Sequence, residues 1–291
     1  MTNLYKYRSF GVNSLRELCQ SEVHFSDPKK FNDPLDCSPT LINDVGLEDL
    51  EKLCHRMIEK NYDEDRANSE IQNYRYLSTE YGDYRTDPEV QKYYVRMISD
   101  EIKRQLDQMM KSRGVLSLSS LWNSPLMWSH YADEHKGICI EYDISRAVCE
   151  NPKMVDYKGG RGIYISHIVD FVFKNSETSK KEIEHKYFYT KAGQWDYEEE
   201  WRYVSDYQGS QSVPFPLSGV YFGMRCEISV ISSIVKLLGG VDSKAKFYKT
   251  YASENSFDLD RRELEIEELI ACTPRSSARL AFGSIQNGIQ A

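Results

Sequence analysis

The sequence predicts an α+β fold, a mixed and mainly antiparallel sheet combined with helices, without strict βαβ alternation. Three observations carry this. Short runs with period-two alternation recur from the first residues to about residue 269. Stretches with apolar residues at helical spacing lie between them, the longest from Pro88 to about Lys111. The helices at about 45–112 gather in one block, which reads as an insertion lying over one side of the sheet. At 291 residues the chain buries a sizeable core, read here as a single domain over 1–272. The remainder, 273–291, is rich in Ser and Gly and reads as a flexible tail.

Taken in order, Leu4 to Arg8 is a first strand, with Leu4, Lys6 and Arg8 on one face and Tyr5 and Tyr7 on the other. A helix follows, with Ser14 as N-cap, Glu17 in the capping-box position and Leu15 and Leu18 on its apolar side. Val23 to Phe25 is a short strand that ends in the turn formers Ser26-Asp-Pro28 and Phe31-Asn-Asp-Pro34. Asn32 and Asp33, set before a proline, are extended or in a turn, with side chains available to backbone amides. Leu47 to Lys60 is helical, 61–88 is polar and Tyr-rich without a clear period, and Pro88 begins the long amphipathic helix.

Gly114 to Ser119 is the next strand, with Ser117 and Ser119 on one face. Ser124 as N-cap, Pro125 at the first helical position and Gly137 past the end predict a helix over 125–136. Ile138 to Tyr142 reads as a strand, the segment 155–174 as holding at least one more that includes Ile168 to Phe173, and about 177–192 as a helix. Trp195 to Arg202 reads as a strand with Glu198, Glu200 and Arg202 on one face and Tyr197, Glu199 and Trp201 on the other. Gly219 to Gly223 is a strand, and Cys226 to Leu238 a helix burying Ile228, Ile231, Val235 and Leu238. Phe247 to Tyr251 and Leu264 to Leu269 are the last two strands.

Hydrophobic content of 40% and charged content of 28% are those of a soluble globular protein. A net charge of −8 argues against broad binding to nucleic acid or anionic membrane. The N-terminus lacks the apolar run of a signal peptide, and no stretch approaches a membrane span, so a cytoplasmic location is expected. The seven cysteines, at 19, 37, 54, 139, 149, 226 and 272, form no CxxC and no zinc-type pairing with histidine. Reduced, mostly buried thiols and no metal are the expectation. The 21 tyrosines suit a core and a cleft lined with amphipathic rings.

The Trp195–Arg202 stretch is the first candidate for chemistry. Two carboxylates two residues apart on a strand stand roughly 7 Å from each other. With aromatic residues on the reverse face, the charged face must meet water, an ion or a ligand; a solvated Glu–Arg ladder is the alternative. On the 125–136 helix, His130 and His135 are five apart, roughly 140° around the axis, and cannot chelate one ion. Trp128, Tyr131 and His135 share a face there, as packing on the sheet or as a ligand-facing surface. No GxGxxG, Walker loop or GxSxG occurs, and Gly159-Gly-Arg-Gly162 reads as a turn, with a phosphate loop as the alternative.

Four motifs, in order, carry a resemblance: Leu4-Tyr-Lys-Tyr-Arg8; Phe25-Ser-x-Pro28 with Phe31-Asn-Asp-Pro-x-Asp36; Met127-Trp-Ser-His-Tyr-Ala132 with His135-Lys-Gly137; and Trp195-x-Tyr-Glu-x-Glu-Trp-Arg202. Over residues 4 to about 240 the chain resembles a bacterial family catalogued as domain of unknown function 2971. It also resembles ADP-ribosyltransferases of the Arg–Ser–Glu type, in Arg8 on the first strand, Ser117 and Ser119 on a middle strand, and Glu198 and Glu200 on a later one. The middle element is Ser-Leu-Ser where that family usually has Ser-Thr-Ser. This second resemblance implies an ADP-ribosyltransferase-like sheet core and NAD as substrate, with Arg8 on its phosphates and Ser117 and Ser119 ordering the nicotinamide side. Glu200 would hold the ribose hydroxyl, and Glu198 would orient or deprotonate the acceptor. Tyr7, His130 and Tyr131 are further candidates for holding the cofactor.

The expected function is thus NAD-dependent ADP-ribosyl transfer or NAD hydrolysis, with a toxin or phage-defence role by analogy. The expected partners are a small nucleotide ligand and a protein or nucleic-acid acceptor, with no membrane. A non-catalytic ligand- or protein-binding module around Trp128, His130 and the Asn32-Asp33 turn is the alternative. A metal-dependent nuclease using Glu198, Glu200, Asp33 and Asp36 is a third reading.

Overall fold

The computed structural model describes residues 3–80, 82–147, 150–271 and 273–277. The first part runs β1 (Asn3–Arg8), α1 (Val12–Gln20), β2 (Glu22–Phe25), β3 (Thr40–Ile42), α2 (Leu47–Asn61), α3 (Glu64–Thr79) and α4 (Pro88–Met110). Next come β4 (Gly114–Ser119), α5 (Pro125–Tyr131), β5 (Ile138–Asp143), β6 (Lys153–Met154), β7 (Gly162–Tyr164), α6 (Ile165–Lys174) and α7 (Glu177–Phe188). The last are β8 (Glu200–Ser205), β9 (Gly209–Ser212), β10 (Leu217–Phe222), α8 (Ile228–Leu237), β11 (Lys246–Ala252), β12 (Leu259–Glu263) and α9 (Ile266–Ala271).

Eight of the strands form one sheet in the order β12-β11-β10-β5-β1-β4-β8-β6. Within it β10 and β11 are parallel and the other pairs antiparallel, so the fold is α+β with a mainly antiparallel mixed sheet. β1 lies inside this sheet, and its alternation feeds both faces. Leu4 enters a core with Leu116, Ile140 and Val220, while Tyr7 packs on the other face with Trp128, Cys139 and Tyr221. A third core, built on Leu53, Ile98 and Ile102, joins α2, α3 and α4 to α6 and α7.

β1 pairs with β5 along its whole length, from Asn3 opposite Asp143 to Arg8 opposite Ile138. Against β4 it pairs at one position, Tyr5 opposite Ser119. Beyond that point the two strands part. The N–H and C=O of Val115 bond instead to Ser26, both at 2.9 Å.

Several elements differ from the sequence expectations. In α1 the N-cap is Gly11, and Ser14 sits three residues further on, where its hydroxyl accepts from the Gly11 N–H at 2.9 Å. Glu17 is therefore no capping residue; it is buried and binds Arg8 and Tyr142. α3 occupies part of the stretch without a clear period. It buries only Ala67, Ile71 and Ser78, too narrow a stripe for apolar periodicity to reveal, and Asp63 caps it through the Arg66 N–H. Ile168 to Phe173 belongs to helix α6: Ile165 and Ile168, three apart, are buried together, and this packing overrides the β-branched composition. The strand within 155–174 is β7, which ends directly before α6. Leu264 to Leu269 is likewise no strand, since β12 ends at Glu263 and α9 starts at Ile266. Ile228 is half exposed, and α8 buries Ile231, Ile234 and Val235.

α5 stops at Tyr131, short of the expected 136. Asp133, Glu134 and His135 follow with φ of 48°, 52° and 68°, all left-handed. His135 is off the helix, yet it stacks on Trp128 (centroids 6.2 Å apart) and its Nε2 hydrogen-bonds Ser129 at 3.2 Å. Among the described cysteines, Cys37, Cys54, Cys139 and Cys226 are buried free thiols and Cys19 is exposed; Cys149 and Cys272 lie outside the described residues, as does 278–291 of the expected tail. Among the described residues no helix is long and apolar enough to cross a membrane.

Candidate functional site

Where β1 and β4 part, a cavity of about 400 Å³ opens between them, bordered also by β8, α5 and the Phe31–Asp36 loop. Its two walls differ in how their charges are held.

The β8 wall begins with a departure from the expected strand. Gly193–Glu198 is a 3-10 turn, Glu199 is left-handed with φ 42°, and the strand starts only at Glu200. Alternation from Glu200 still puts Arg202 on the same face, with Trp201 and Tyr203 turned to the core. That face meets no bulk water, because the Arg202 side chain is 0% exposed. Its guanidinium forks onto Asp36 at 2.9 and 2.6 Å and onto both oxygens of Glu200 at 2.8 and 2.9 Å. The fifth N–H donates to the Phe188 carbonyl at 2.7 Å, and Phe31 lies 5.5 Å from the guanidinium carbon.

Lys191 completes this wall from the segment after α7. Its ammonium contacts Glu198, Glu200 at 3.0 Å and Asp36 at 3.7 Å, and lies over the Trp195 ring. Tyr131 donates to Glu198 at 2.7 Å, and the Glu200 N–H donates to the Tyr157 hydroxyl at 2.8 Å. Burial pushes the Glu200 carboxyl up, but Arg202, Lys191 and a hydrogen bond from Ser117 outweigh it and hold the carboxyl at about 2. Burial pushes Lys191 down, and Glu200 and Glu198 reverse this, leaving it above the ordinary lysine value.

The β1 wall is less completely paired. Lys6, 8% exposed, donates to the Ser117 carbonyl at 3.2 Å. Burial, and after it the neighbouring Arg8, lower its amine to about 7. Arg8 uses Nε to bind Glu17 at 2.9 Å, and Glu17 also accepts from Tyr142 at 2.6 Å. Tyr7 donates to the Leu121 carbonyl at 2.8 Å and meets Trp128 edge to face.

Of the residues singled out in the sequence, Arg8, Tyr7, Ser117, Ser119, Tyr131, Glu198 and Glu200 line this one cavity. His130 does not line it; it is exposed beside Tyr131 and Tyr197. The two serines do different work. Ser119 donates to the Glu198 carbonyl at 2.7 Å and accepts from the Leu121 N–H at 3.0 Å, fixing the start of β8 against the end of β4, while Ser117 adds its hydroxyl to Glu200. Asp33 forms the expected Asx turn with the Leu35 N–H at 2.8 Å and accepts from the Trp195 indole at 2.9 Å. Trp128 is fully buried behind Tyr7. Among the described residues no three or more His, Cys, Asp or Glu are arranged to hold a metal ion.

Lys6 and Lys191 were not singled out as site residues, and Asp36 and Arg202, though each named, were not paired. Asp36 and Arg202 are 166 positions apart, a separation that no spacing rule connects. Lys6 did carry a signal, since a lysine that alternates with Leu4 on a strand's apolar side is a buried charge in waiting.

The geometry defines an α+β protein with one cavity at a fork in its sheet and a fully paired ion cluster on one wall. Residues 127–203 match the family described as protein of unknown function (DUF2971). The match is narrower than the motif resemblance. It spans α5 through most of β8 and so contains Tyr131, Lys191, Glu198, Glu200 and Arg202, while β1 lies outside it. No curated protein and no solved structure matches the chain.

Proposed function

We propose that the cavity binds NAD and that the protein cleaves its nicotinamide–ribose bond, transferring ADP-ribose to an acceptor or to water. The observation that carries this reading is the convergence of Arg8, Ser117 and Glu200, from three strands distant in sequence, on one cavity. A volume of about 400 Å³ is in the range of small-molecule sites. Breaking the glycosidic bond builds positive charge on the ribose, and a carboxylate that stays ionised at neutral pH stabilises that charge most in the transition state. Glu200 has this character because Arg202 and Lys191 hold it ionised. Glu198, held by Tyr131 and Lys191, is the group to orient the acceptor. An ADP-ribosyltransferase-like type for the sheet, a protein or nucleic-acid acceptor, action in the cytoplasm and a toxin or phage-defence role belong to the same proposal.

A second reading has its own observation. Both oxygens of Glu200 already accept from Arg202, as in a cluster whose task is to shape a binding pocket. A non-catalytic ligand-binding module follows from it.

Nicotinamide release from NAD by the purified protein, beside a Glu200→Gln variant checked for fold by circular dichroism, separates the two. Release by the wild type and its loss in a folded variant support the transferase reading. Neither binding nor release, with cell extract supplied as a source of acceptor, overturns it in favour of the binding module.

A further inference from the structure

Of the three lysines that line the cavity, Lys191 and Lys6 have opposite surroundings. Lys191 has three carboxylates within 3.7 Å. Lys6 is as deeply buried, yet among the described residues its one hydrogen-bond partner is the Ser117 carbonyl, and no carboxylate comes within 4.0 Å of its amine. An ammonium has three donors, and leaving two of them without acceptors in a buried place is costly. The charged groups around it do not settle the deficit. Arg8 on the same strand opposes the charge, and Glu17 on α1 and Glu200 on β8 favour it only from a distance, being already bound to Arg8 and Arg202. His24 on β2, held below its ordinary value by burial and then by Arg8 and Lys6, offers no anion, and Lys30 lines the same cavity as a further cation. Burial therefore leaves the amine poised near neutrality.

The open side of Lys6 is the cavity itself, shared with Arg8. We propose that Lys6 is the anion sensor of this cavity: its amine, left with a single carbonyl as partner, is held fully protonated only when an oxyanion of the ligand, of phosphate type, settles between it and Arg8. The oxyanion supplies the acceptors that the protein withholds, so binding and protonation are one linked event. The one covalent change is at Nζ, where an N–H bond forms with a proton that leaves water or buffer as the anion binds. The inference deepens the reading above in taking the cavity as the ligand site, but the anion need not belong to NAD.

The test uses two probes that do not titrate between pH 6.5 and 8.5, sulfate and ADP-ribose. The Cε–Nζ signals of the lysines are followed by NMR against pH, with Lys6 assigned by its absence in Lys6→Met. The expected result is a Lys6 signal that titrates near neutrality in the free protein and moves to higher pH with saturating sulfate. Binding of the anion should weaken roughly twentyfold from pH 6.5 to 8.5 in the wild type, as one linked proton requires, and stay flat in Lys6→Arg, whose charge is permanent. A Lys6 signal that titrates with the surface lysines, or that neither probe moves, overturns the proposal. A shift with sulfate but no binding of ADP-ribose upholds the sensor and removes the NAD reading. Binding of ADP-ribose with no movement of Lys6 does the reverse.

Discussion

On the β8 side of the cavity Arg202 has an acceptor for each of its five N–H groups, and Lys191 touches three carboxylates; on the β1 side Lys6 has one carbonyl. Both walls bury cations, and the difference lies in what surrounds them. A buried charge with every partner in place is fixed in position and protonation state. One without them is held in reserve for whatever enters. The first wall gives the cavity its shape, and in the proposal above the second gives it a response.

The comparison is broken most severely from the β8 side. Arg202→Met leaves Asp36 and Glu200 buried with no guanidinium between them, and urea unfolding should record a loss of about 3–5 kcal/mol. Arg202→Lys should recover little of it, because a single ammonium cannot fork onto two carboxylates.

On the β1 side the sign reverses. Lys6→Met removes an under-partnered charge, and the same measurement at pH 6 should register a gain of about 2 kcal/mol. The pH dependence sharpens this. Lys6 titrates at about 7 in the folded chain and at 10.5 as an ordinary lysine, so the unfolded chain holds the extra proton between those values. Wild-type stability should therefore rise across that window, and the Lys6→Met variant should lack that contribution.

Glu200 works in the opposite sense. Its carboxyl falls from 4.5 to about 2 on folding, so its contribution is complete above 4.5 and is lost as pH drops toward 2. Acid titration of the far-ultraviolet signal measures this. The smallest effect expected is that of Tyr131→Phe, which removes one hydrogen bond to Glu198 and should cost about 1–2 kcal/mol.

Legibility in the sequence followed the range of the forces involved. β1, β4, β5, α2, α4 and α5 were readable because alternation, apolar stripes and a Ser124–Pro125 cap are local signals. α6 and α9 were read as strands because short apolar runs fit either period, and the choice is made by what they pack against. Arg8, Ser117 and Glu200 were found, and their meeting in one cavity followed from strand order. What the local pattern could not contain was pairing. Asp36 with Arg202, Asp36 with Lys191, and Tyr131 with Glu198 each join separate parts of the chain's path, and only the folded backbone brings them together.

The fork in the sheet has a mechanical meaning. With one residue pair, Tyr5 and Ser119, between β1 and β4, the eight strands divide into a plate of five and a plate of three. The plates meet along a seam, and the cavity runs along that seam. A ligand seated there touches both plates at once, Arg8 on one and Glu200 on the other. In the binding proposed above, occupancy of the site would act as a rivet, joining the two plates into a single stiff body.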